Sequence, residues 1–194
     1  MTRVTLIHAG PTPWDEEDRM AGGQTLPLVQ DALAKITELA KSISPAPTSI
    51  YFCKSNEASN EVAKLLGGIF KLRPRDNEQL NGFELGLWEG LTRGELRRRF
   101  PSVFPQWEEN PLSVNPPDGE TLPEAIERIH AGVVKVLKRN RGGSVVLVMR
   151  PLALQIALGV LRNESPEVIA GHLHNVTAME TIELDDALFQ MLLS

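Results

Sequence analysis

The sequence predicts an α/β protein, folded as a three-layer α/β/α sandwich around a mostly parallel central sheet. Short apolar runs that end in turn residues alternate with longer segments in which apolar residues recur at helical spacing. Residues 4–7 are apolar or β-branched and are soon followed by the Gly10-Pro11 pair, and residues 144–149 form the most strand-like run of the chain. Such runs are typical of strands that helices bury on both faces.

In the first half of the chain, strands and helices are expected to alternate. Apolar residues at helical spacing between Leu28 and Ile43 indicate a helix, which a proline-rich segment ends. Ser55 or Asn56 is expected to cap the next helix. The predicted strands of this half are one that begins at Val4, one at residues 49–53 and an edge strand at residues 72–74, where a proline is tolerated.

Residues 76–119 are the least regular part of the sequence. Five prolines interrupt this segment after residue 100, and one short helix is predicted from Thr92 to Phe100, with Glu95 completing a capping box. A long irregular insert in a compact domain is often a lid or a substrate wall. The alternative is a loop packed by its own aromatic side chains, such as Phe100 and Trp107, and the sequence leaves both alternatives open.

The second half returns to a regular alternation of elements. A long helix is expected to start at Thr121 and to precede the strand at residues 144–149. The elements predicted after that strand are a helix at residues 152–161, a helix that starts at residues 165–167, a strand at residues 176–184 and a last strand at residues 188–193. We expect one domain over residues 1–194, with residues 76–119 as its lid or insert.

Composition narrows the classes of partner and the compartment. The chain has 194 residues, 42% of them hydrophobic, and a net charge of −5, so neither nucleic acid nor an anionic membrane is an expected partner, although the arginines at 97–99 are a local exception. No apolar stretch approaches the roughly 18 residues of a membrane span. With a single cysteine and no signal-peptide pattern, the expected localisation is cytoplasmic.

A series of short motifs runs through the chain in a fixed order. They lie at residues 6–14, 50–58, 80–92, 116–121 together with Arg128, 145–151 and 175–184. The most specific are Trp88-Glu89-Gly90-Leu91-Thr92 and Gly119-Glu120-Thr121. Together these motifs resemble the histidine phosphatase superfamily, also called phosphoglycerate mutase-like. The resemblance implies a phosphoglycerate mutase-like fold, and an activity in which a histidine accepts and releases a phosphoryl group.

That chemistry uses five side chains. A histidine attacks, two arginines and a second histidine hold the phosphoryl oxygens, and a carboxylic acid protonates the leaving group. The resemblance places Ala9 at the nucleophile, His8 and Glu57 at the two arginines, Arg150 at the second histidine and Gly82 at the acid. Because alanine has no nucleophilic atom and glycine no acidic one, we predict a catalytically inactive member with a binding or regulatory role.

Two other functions stay open. One is a weak phosphomonoester hydrolase (phosphatase) that uses His8, and the other is a structural homo-oligomeric scaffold, such as a homodimer. His8 lies one residue before the nucleophile position, so it would be displaced from the in-line geometry that phosphoryl transfer needs. Its other predicted roles are a hydrogen bond to a backbone carbonyl and a contact with an anion.

The groups that remain at these positions suggest an anion site. Its candidate residues are His8, Gly10, Thr12 and Arg150, and the expected partner is a small phosphorylated or other anionic ligand. Glu57 and Arg150 are predicted to form a salt bridge across the former phosphate site, the alternative being two solvated charges. No cofactor is implied.

Three further side chains could have chemical roles. His172 and His174 are predicted to share one face of a strand, but a metal site needs a third ligand, so no metal is expected. Glu84 is either a substitute for the lost acid or a solvated glutamate. Cys53 is predicted to be a small buried hydrophobe.

Overall fold

The computed structural model describes residues 1–193 as helices on both faces of a five-stranded sheet. The strands are β1 (Thr2–His8), β2 (Ser49–Phe52), β3 (Arg75–Asp76), β4 (Ser144–Met149) and β5 (Met179–Leu184). Their order in the sheet is β3-β2-β4-β1-β5. All neighbouring strands pair in parallel except β5, which is antiparallel to β1. The predicted mostly parallel sheet is therefore confirmed.

Nine helices connect and flank these strands within the described residues. They are α1 (Pro13–Glu16), α2 (Ala32–Ala40), α3 (Glu57–Phe70), α4 (Arg93–Arg99), α5 (Val103–Glu109), α6 (Leu122–Arg139), α7 (Pro151–Leu161), α8 (Pro166–His172) and α9 (Asp186–Leu193). Short 3₁₀ turns lie at Glu78–Leu80 and Gly86–Trp88. No helix between residues 1 and 193 combines the length and the apolar character that a membrane span requires.

The two faces of the sheet bury separate cores, as the alternation of side chains along a strand requires. Along β4, Val146 and Val148 pack with apolar residues of α2 and α3. Val145, Leu147 and Met149 face the other way and pack with residues of α6, α7, α8 and α9. This arrangement gives the three layers that the sequence predicts.

The segment between β3 and α6 is organised around buried aromatic rings. Trp88 and Trp107 are both 0% exposed, and their ring centroids lie 5.4 Å apart in an edge-to-face contact. Phe100 and Phe104 complete the cluster around Trp88, at 6.0 and 5.4 Å. The aromatic side chains of this segment therefore pack against one another, as the packed-loop alternative for residues 76–119 expects.

Several helix starts lie where the sequence places them. Asn56 caps α3 by accepting from the Ser59 N–H at 2.9 Å, and Thr92 and Thr121 cap α4 and α6 in reciprocal capping boxes with Glu95 and Glu124. Each cap satisfies backbone N–H groups that have no partner inside the helix.

Other predicted boundaries differ from the structure. Residues 188–193 were expected to form a strand but belong to helix α9, whose first turn is tied by a hydrogen bond from the Leu188 N–H to Asp185 Oδ1 at 2.8 Å. The helix expected from Leu28 covers only Ala32–Ala40. The edge strand expected at residues 72–74 lies at Arg75–Asp76, beyond the proline that cannot donate to the ladder.

Candidate functional site

The candidate residues of the first and fourth strands meet at the carboxyl ends of β1 and β4. Arg150 follows β4 directly at the N-cap position of α7, and residues 9–12 follow β1. The Arg150 guanidinium donates to the Gly10 carbonyl at 2.8 Å, and the Gly10 N–H donates to His8 Nδ1 at 3.2 Å. Parallel strands place their carboxyl ends at one edge of a sheet. Four of the predicted residues therefore belong to one hydrogen-bonded network: His8, Gly10, Arg150 and, through a further side chain, Thr12.

A fifth residue, Asp15, completes this network. Its carboxylate lies 2.9 and 3.2 Å from the Arg150 guanidinium. It also accepts from the backbone N–H of Thr12 at 2.6 Å and from the Thr12 hydroxyl at 2.7 Å. The Arg150 side chain is 3% exposed, so Asp15 neutralises a cation that is almost completely removed from water.

This pairing overturns the predicted salt bridge between Glu57 and Arg150. Glu57 is the first residue of α3 and is exposed, and no ion pair joins it to Arg150 in the described structure. Asp15 is not among the predicted site residues, although the Thr12-x-x-Asp15 spacing is a capping-box pattern, which places this carboxylate in the first turn of α1.

His8 is held as a neutral imidazole. Burial, followed by the positive charge of Arg150, lowers the pKa of His8 from 6.5 to about 4, against an opposing effect of Asp15. Because Nδ1 accepts from the Gly10 N–H, the proton of the neutral ring lies on Nε2. Nε2 is itself buried, and no atom of residues 1–193 forms a hydrogen bond with it.

Ala9 and Gly82, which the resemblance assigns to the nucleophile and the acid, are both closely packed. Ala9 is 0% exposed, in the core beneath α2 and α3. A Cβ atom added to Gly82 would lie 2.2 Å from the Gly22 carbonyl oxygen and 2.8 Å from Gly23 Cα, far inside van der Waals distance. The backbone at Gly22 and Gly23 therefore fills the space that an acidic side chain would need.

Arg128 fixes the loop that carries Gly82. Its guanidinium donates to the carbonyls of Gln79, Asn81 and Gly82 at 3.0 to 3.1 Å. It also pairs with Glu120. These contacts give this arginine of the sequence motif a structural role.

A cleft of about 300 Å³ opens beside the network. Its charged lining residues are Asp15, Asp18, Arg19 and Arg93, and its apolar lining includes Leu85, Leu152 and Val176. The four candidate residues of the anion site, His8, Gly10, Thr12 and Arg150, do not line this cleft within the described structure.

A second cleft of about 310 Å³ has an acidic lining that includes Glu84, Glu89 and Asp118. Burial raises the pKa of Glu89, against the hydrogen bond from the Leu85 N–H and with a smaller contribution from the charge of Glu84. Glu84 is exposed, as its solvated alternative requires.

The two late histidines do not share a strand, contrary to prediction. His172 ends α8 and bonds Glu164 at 2.6 Å, whereas His174 lies in the following loop with its ring 4.8 Å from that of Trp107. Within residues 1–193, no cluster of three or more His, Cys, Asp or Glu side chains is arranged to hold a metal. Cys53 is 1% exposed, as predicted, and burial raises the pKa of its thiol.

Two known proteins that are similar to this chain are phosphatases by name. Phosphoserine phosphatase 1 of Hydrogenobacter thermophilus is 20% identical over 155 residues, which cover 80% of this chain and 74% of that protein. The uncharacterized phosphatase PhoE of Bacillus subtilis is 21% identical over 176 residues, covering 90% of this chain and 85% of that protein.

Solved structures agree on the fold. YhfR of Bacillus stearothermophilus superposes with a TM-score of 0.84 at 25% identity, covering 96% of this chain and 93% of its own. The alpha-ribazole phosphatase of Shigella flexneri superposes with a TM-score of 0.82 at 16% identity, covering 95% and 91%. The profile of the histidine phosphatase superfamily (branch 1) matches residues 4–194. The chain therefore belongs to the histidine phosphatase superfamily.

Proposed function

We propose that this chain is a non-catalytic member of the superfamily, with a binding or regulatory role at the cleft beside β1 and β4. The observation that carries the proposal is that neither His8 nor Ala9 presents an accessible nucleophilic atom. The residue at the nucleophile position, Ala9, has no nucleophilic atom and is completely buried. Its neighbour His8 uses the Nδ1 lone pair to accept from Gly10, and its other ring nitrogen is buried. Nucleophilic attack needs an accessible lone pair.

The charges at the site also support this proposal. Phosphoryl transfer depends on uncompensated positive groups that meet the charge developing on the phosphoryl oxygens. Arg150 already has Asp15 as a counterion, and Glu57 brings a negative charge to the position of an arginine. An anionic ligand at Arg150 would have to compete with the Asp15 carboxylate.

The acid position agrees with the same proposal. A group that protonates the leaving oxygen must reach it within about 3 Å. Gly82 has no such group, and the Gly22 carbonyl occupies the space next to it. Glu84, two residues further, points its exposed side chain towards the second, acidic cleft that it lines.

The alternative function is a weak phosphomonoester hydrolase that uses His8. It is favoured by the names of the relatives, several of which are phosphatases. For this function, His8 would have to give up its bond with the Gly10 N–H, and its ring would have to rotate towards an open pocket. The lowered pKa of His8 is compatible with such a role, since it keeps the imidazole neutral.

Hydrolysis of a generic phosphate ester separates the two functions. The wild-type chain, His8→Ala and Ala9→His are compared for phosphate release, with an active phosphatase as the positive control. We expect no release above background from any of the three proteins. Turnover by the wild type that His8→Ala abolishes would establish the alternative. Turnover that survives His8→Ala would point to a contaminating enzyme, which repurification identifies.

A further inference from the structure

The cleft beside Arg150 has no uncompensated positive charge. Arg19 pairs with Glu17 and Glu95, and Arg93 pairs with Asp18 and Glu108. The two arginines and the two aspartates that line the cleft therefore cancel in charge.

The surroundings of these groups add no net positive charge. The ion-pair partners outside the lining are Arg150, Glu17, Glu95 and Glu108, which add one positive and three negative charges. Glu108 is shared with Arg97, and Glu95 also feels the charge of Arg99, which together return two positive charges. A phosphate dianion that entered the cleft would therefore meet no net positive charge to offset the loss of its hydration.

The lining of the cleft is partly apolar. Pro151 and Leu152 lie on it and are half-buried, so part of each side chain stays accessible, whereas Leu85 and Leu173 are at most 1% exposed and offer little contact area. A volume of about 300 Å³ lies at the lower end of the roughly 300–1,000 Å³ that small-molecule sites occupy. A cleft of this volume with apolar surface can hold a small organic molecule.

One rim of the cleft is an ordered loop with an uncovered apolar side chain. The side-chain amide of Gln155, 3% exposed on α7, donates to the Asn175 carbonyl at 3.0 Å and to Thr177 Oγ1 at 2.9 Å. Between these two anchors, Val176 is 96% exposed. A buried amide thus holds the loop in a shape that presents an isopropyl group at the mouth of the cleft.

The same rim supplies uncharged polar groups. Partial burial, followed by the nearby charge of Arg93, lowers the pKa of His174, so its ring is neutral at neutral pH. Asn175 lies next to it on the lining, and the side-chain amide of Asn175 can both donate and accept a hydrogen bond. A neutral imidazole and an amide recognise a hydroxyl or carbonyl group.

We infer that this cleft binds an uncharged, largely apolar small molecule that carries one hydrogen-bonding group, such as an alcohol or an amide, rather than a phosphorylated compound. The inference rests on the proposed non-catalytic function and specifies the class of its ligand. Apolar walls supply the affinity, and the rim of His174 and Asn175 orients the polar group.

Probes that share a benzyl group and differ in charge test this inference. Benzyl alcohol, benzyl phosphate and benzylamine share one ring and one methylene group. Each is titrated into the full chain by calorimetry, and the amide resonances of residues 173–177 report the location of binding. We expect saturable binding of the alcohol, at least about tenfold tighter than that of the phosphate or the amine.

A matched pair of variants ties the binding to the cleft. Val176→Asp places a charge on the exposed rim and should weaken the binding of benzyl alcohol by about tenfold. Val168→Asp makes the same change on α8, at a valine that is 50% exposed and does not line the cleft, and should leave the affinity unchanged. Both positions are exposed, so both variants are expected to fold.

Three results would overturn the inference: tighter binding of the phosphate or the amine than of the alcohol, an affinity that Val176→Asp does not change, or no saturable binding of the alcohol. Release of benzyl alcohol from benzyl phosphate is measured in the same samples. Hydrolysis that depends on His8 would refute the proposed non-catalytic function, whereas the order of the three affinities decides the ligand class.

Discussion

At the scale of single residues, Arg150 and Asp15 are the groups on which the site most depends. Arg150 is a cation at 2% exposure, and a buried charge without a partner is strongly unfavourable. Asp15 provides the counterion from the turn after β1, and the charge of Arg150 lowers the pKa of its carboxyl in spite of the opposing effect of burial. The pair therefore links the end of β1 to the start of α7.

Asp15→Asn is expected to lower the free energy of unfolding by about 3 kcal/mol, near the lower end of the range for breaking a buried pair, because the Asp15 side chain keeps 29% exposure. The measurement is the urea midpoint with and without inorganic phosphate. Phosphate should stabilise the variant more than the wild type, since Arg150 then has no counterion.

Glu17→Gln is the control for this change. Glu17 pairs with Arg19 at the surface, where the two side chains are 55% and 34% exposed, so its loss should cost no more than about 1 kcal/mol. Equal urea midpoints for the two variants would mean that Asp15 does not carry the compensation of Arg150.

The sequence predicts part of this site and not the rest. The strands that end near His8 and Arg150 could be located because buried strands have a distinct pattern. Only the resemblance to the superfamily placed His8, Gly10 and Arg150 in one site. The partner of Arg150 could not be chosen between acidic residues, because that choice depends on the path of the chain after Thr12. The contact between Gly82 and Gly22 joins two loops 60 residues apart, which no local pattern reveals.

At the scale of elements, the errors of prediction have local physical causes. Residues 188–193 are apolar at nearly every position, a pattern that fits a strand or a helix. The Asp185 side chain favours the helix, because it accepts a hydrogen bond from the Leu188 N–H in the first turn. The sequence pattern does not predict helix α5, because a proline such as Pro105 usually breaks a helix. Pro105 is the third residue of this helix, where the backbone N–H has no intrahelical partner to lose.

The contact of two loops at Gly82 gives a prediction at this scale. Gly82→Ala places a methyl group 2.2 Å from the Gly22 carbonyl oxygen, so one loop must move. We expect a loss of about 1–3 kcal/mol in the free energy of unfolding, as for overpacked sites. Denaturant unfolding followed by tryptophan fluorescence measures it.

Gly68→Ala serves as the matched control. Gly68 lies in α3, and an added Cβ would meet no atom within 4 Å. This change should raise the free energy of unfolding by roughly 0.5–1 kcal/mol, because alanine has a higher helix propensity than glycine. If Gly82→Ala were as stable as Gly68→Ala, the loop around Gly22 would have to yield freely, and the argument that it fills the acid position would fail.

At the scale of the whole molecule, the fold and the chemistry of the site depend on different residues. The two cores that cover the sheet are built from apolar residues on β1, β2 and β4 and on the flanking helices. A TM-score of 0.84 at 25% identity to YhfR shows how much sequence change such cores tolerate. The scaffold can therefore persist when a few side chains at the strand ends change.

The stability of the whole chain should fall as the pH is lowered from 6.5 towards 4. The pKa of His8 is lowered to about 4 in the folded state but is about 6.5 in an unfolded chain. The folded ring stays neutral while the unfolded ring takes up a proton, so acid favours unfolding. The contribution of His8 is fully present above pH 6.5, and at most about 3 kcal/mol of it is lost by pH 4.

His174 acts in the same direction as His8, because its pKa is also lowered. Glu89 acts in the opposite direction, because its pKa is raised, and Asp15 contributes only below its ordinary pKa of 3.8. Urea unfolding of the wild type, His8→Asn and His174→Asn between pH 7 and pH 4 measures the effect. His8→Asn should remove the larger part of the slope, because an asparagine side chain can still accept from the Gly10 N–H but takes up no proton. A slope that persists unchanged in His8→Asn would mean that His8 is not held neutral, which would also remove the tautomer argument against its action as a nucleophile.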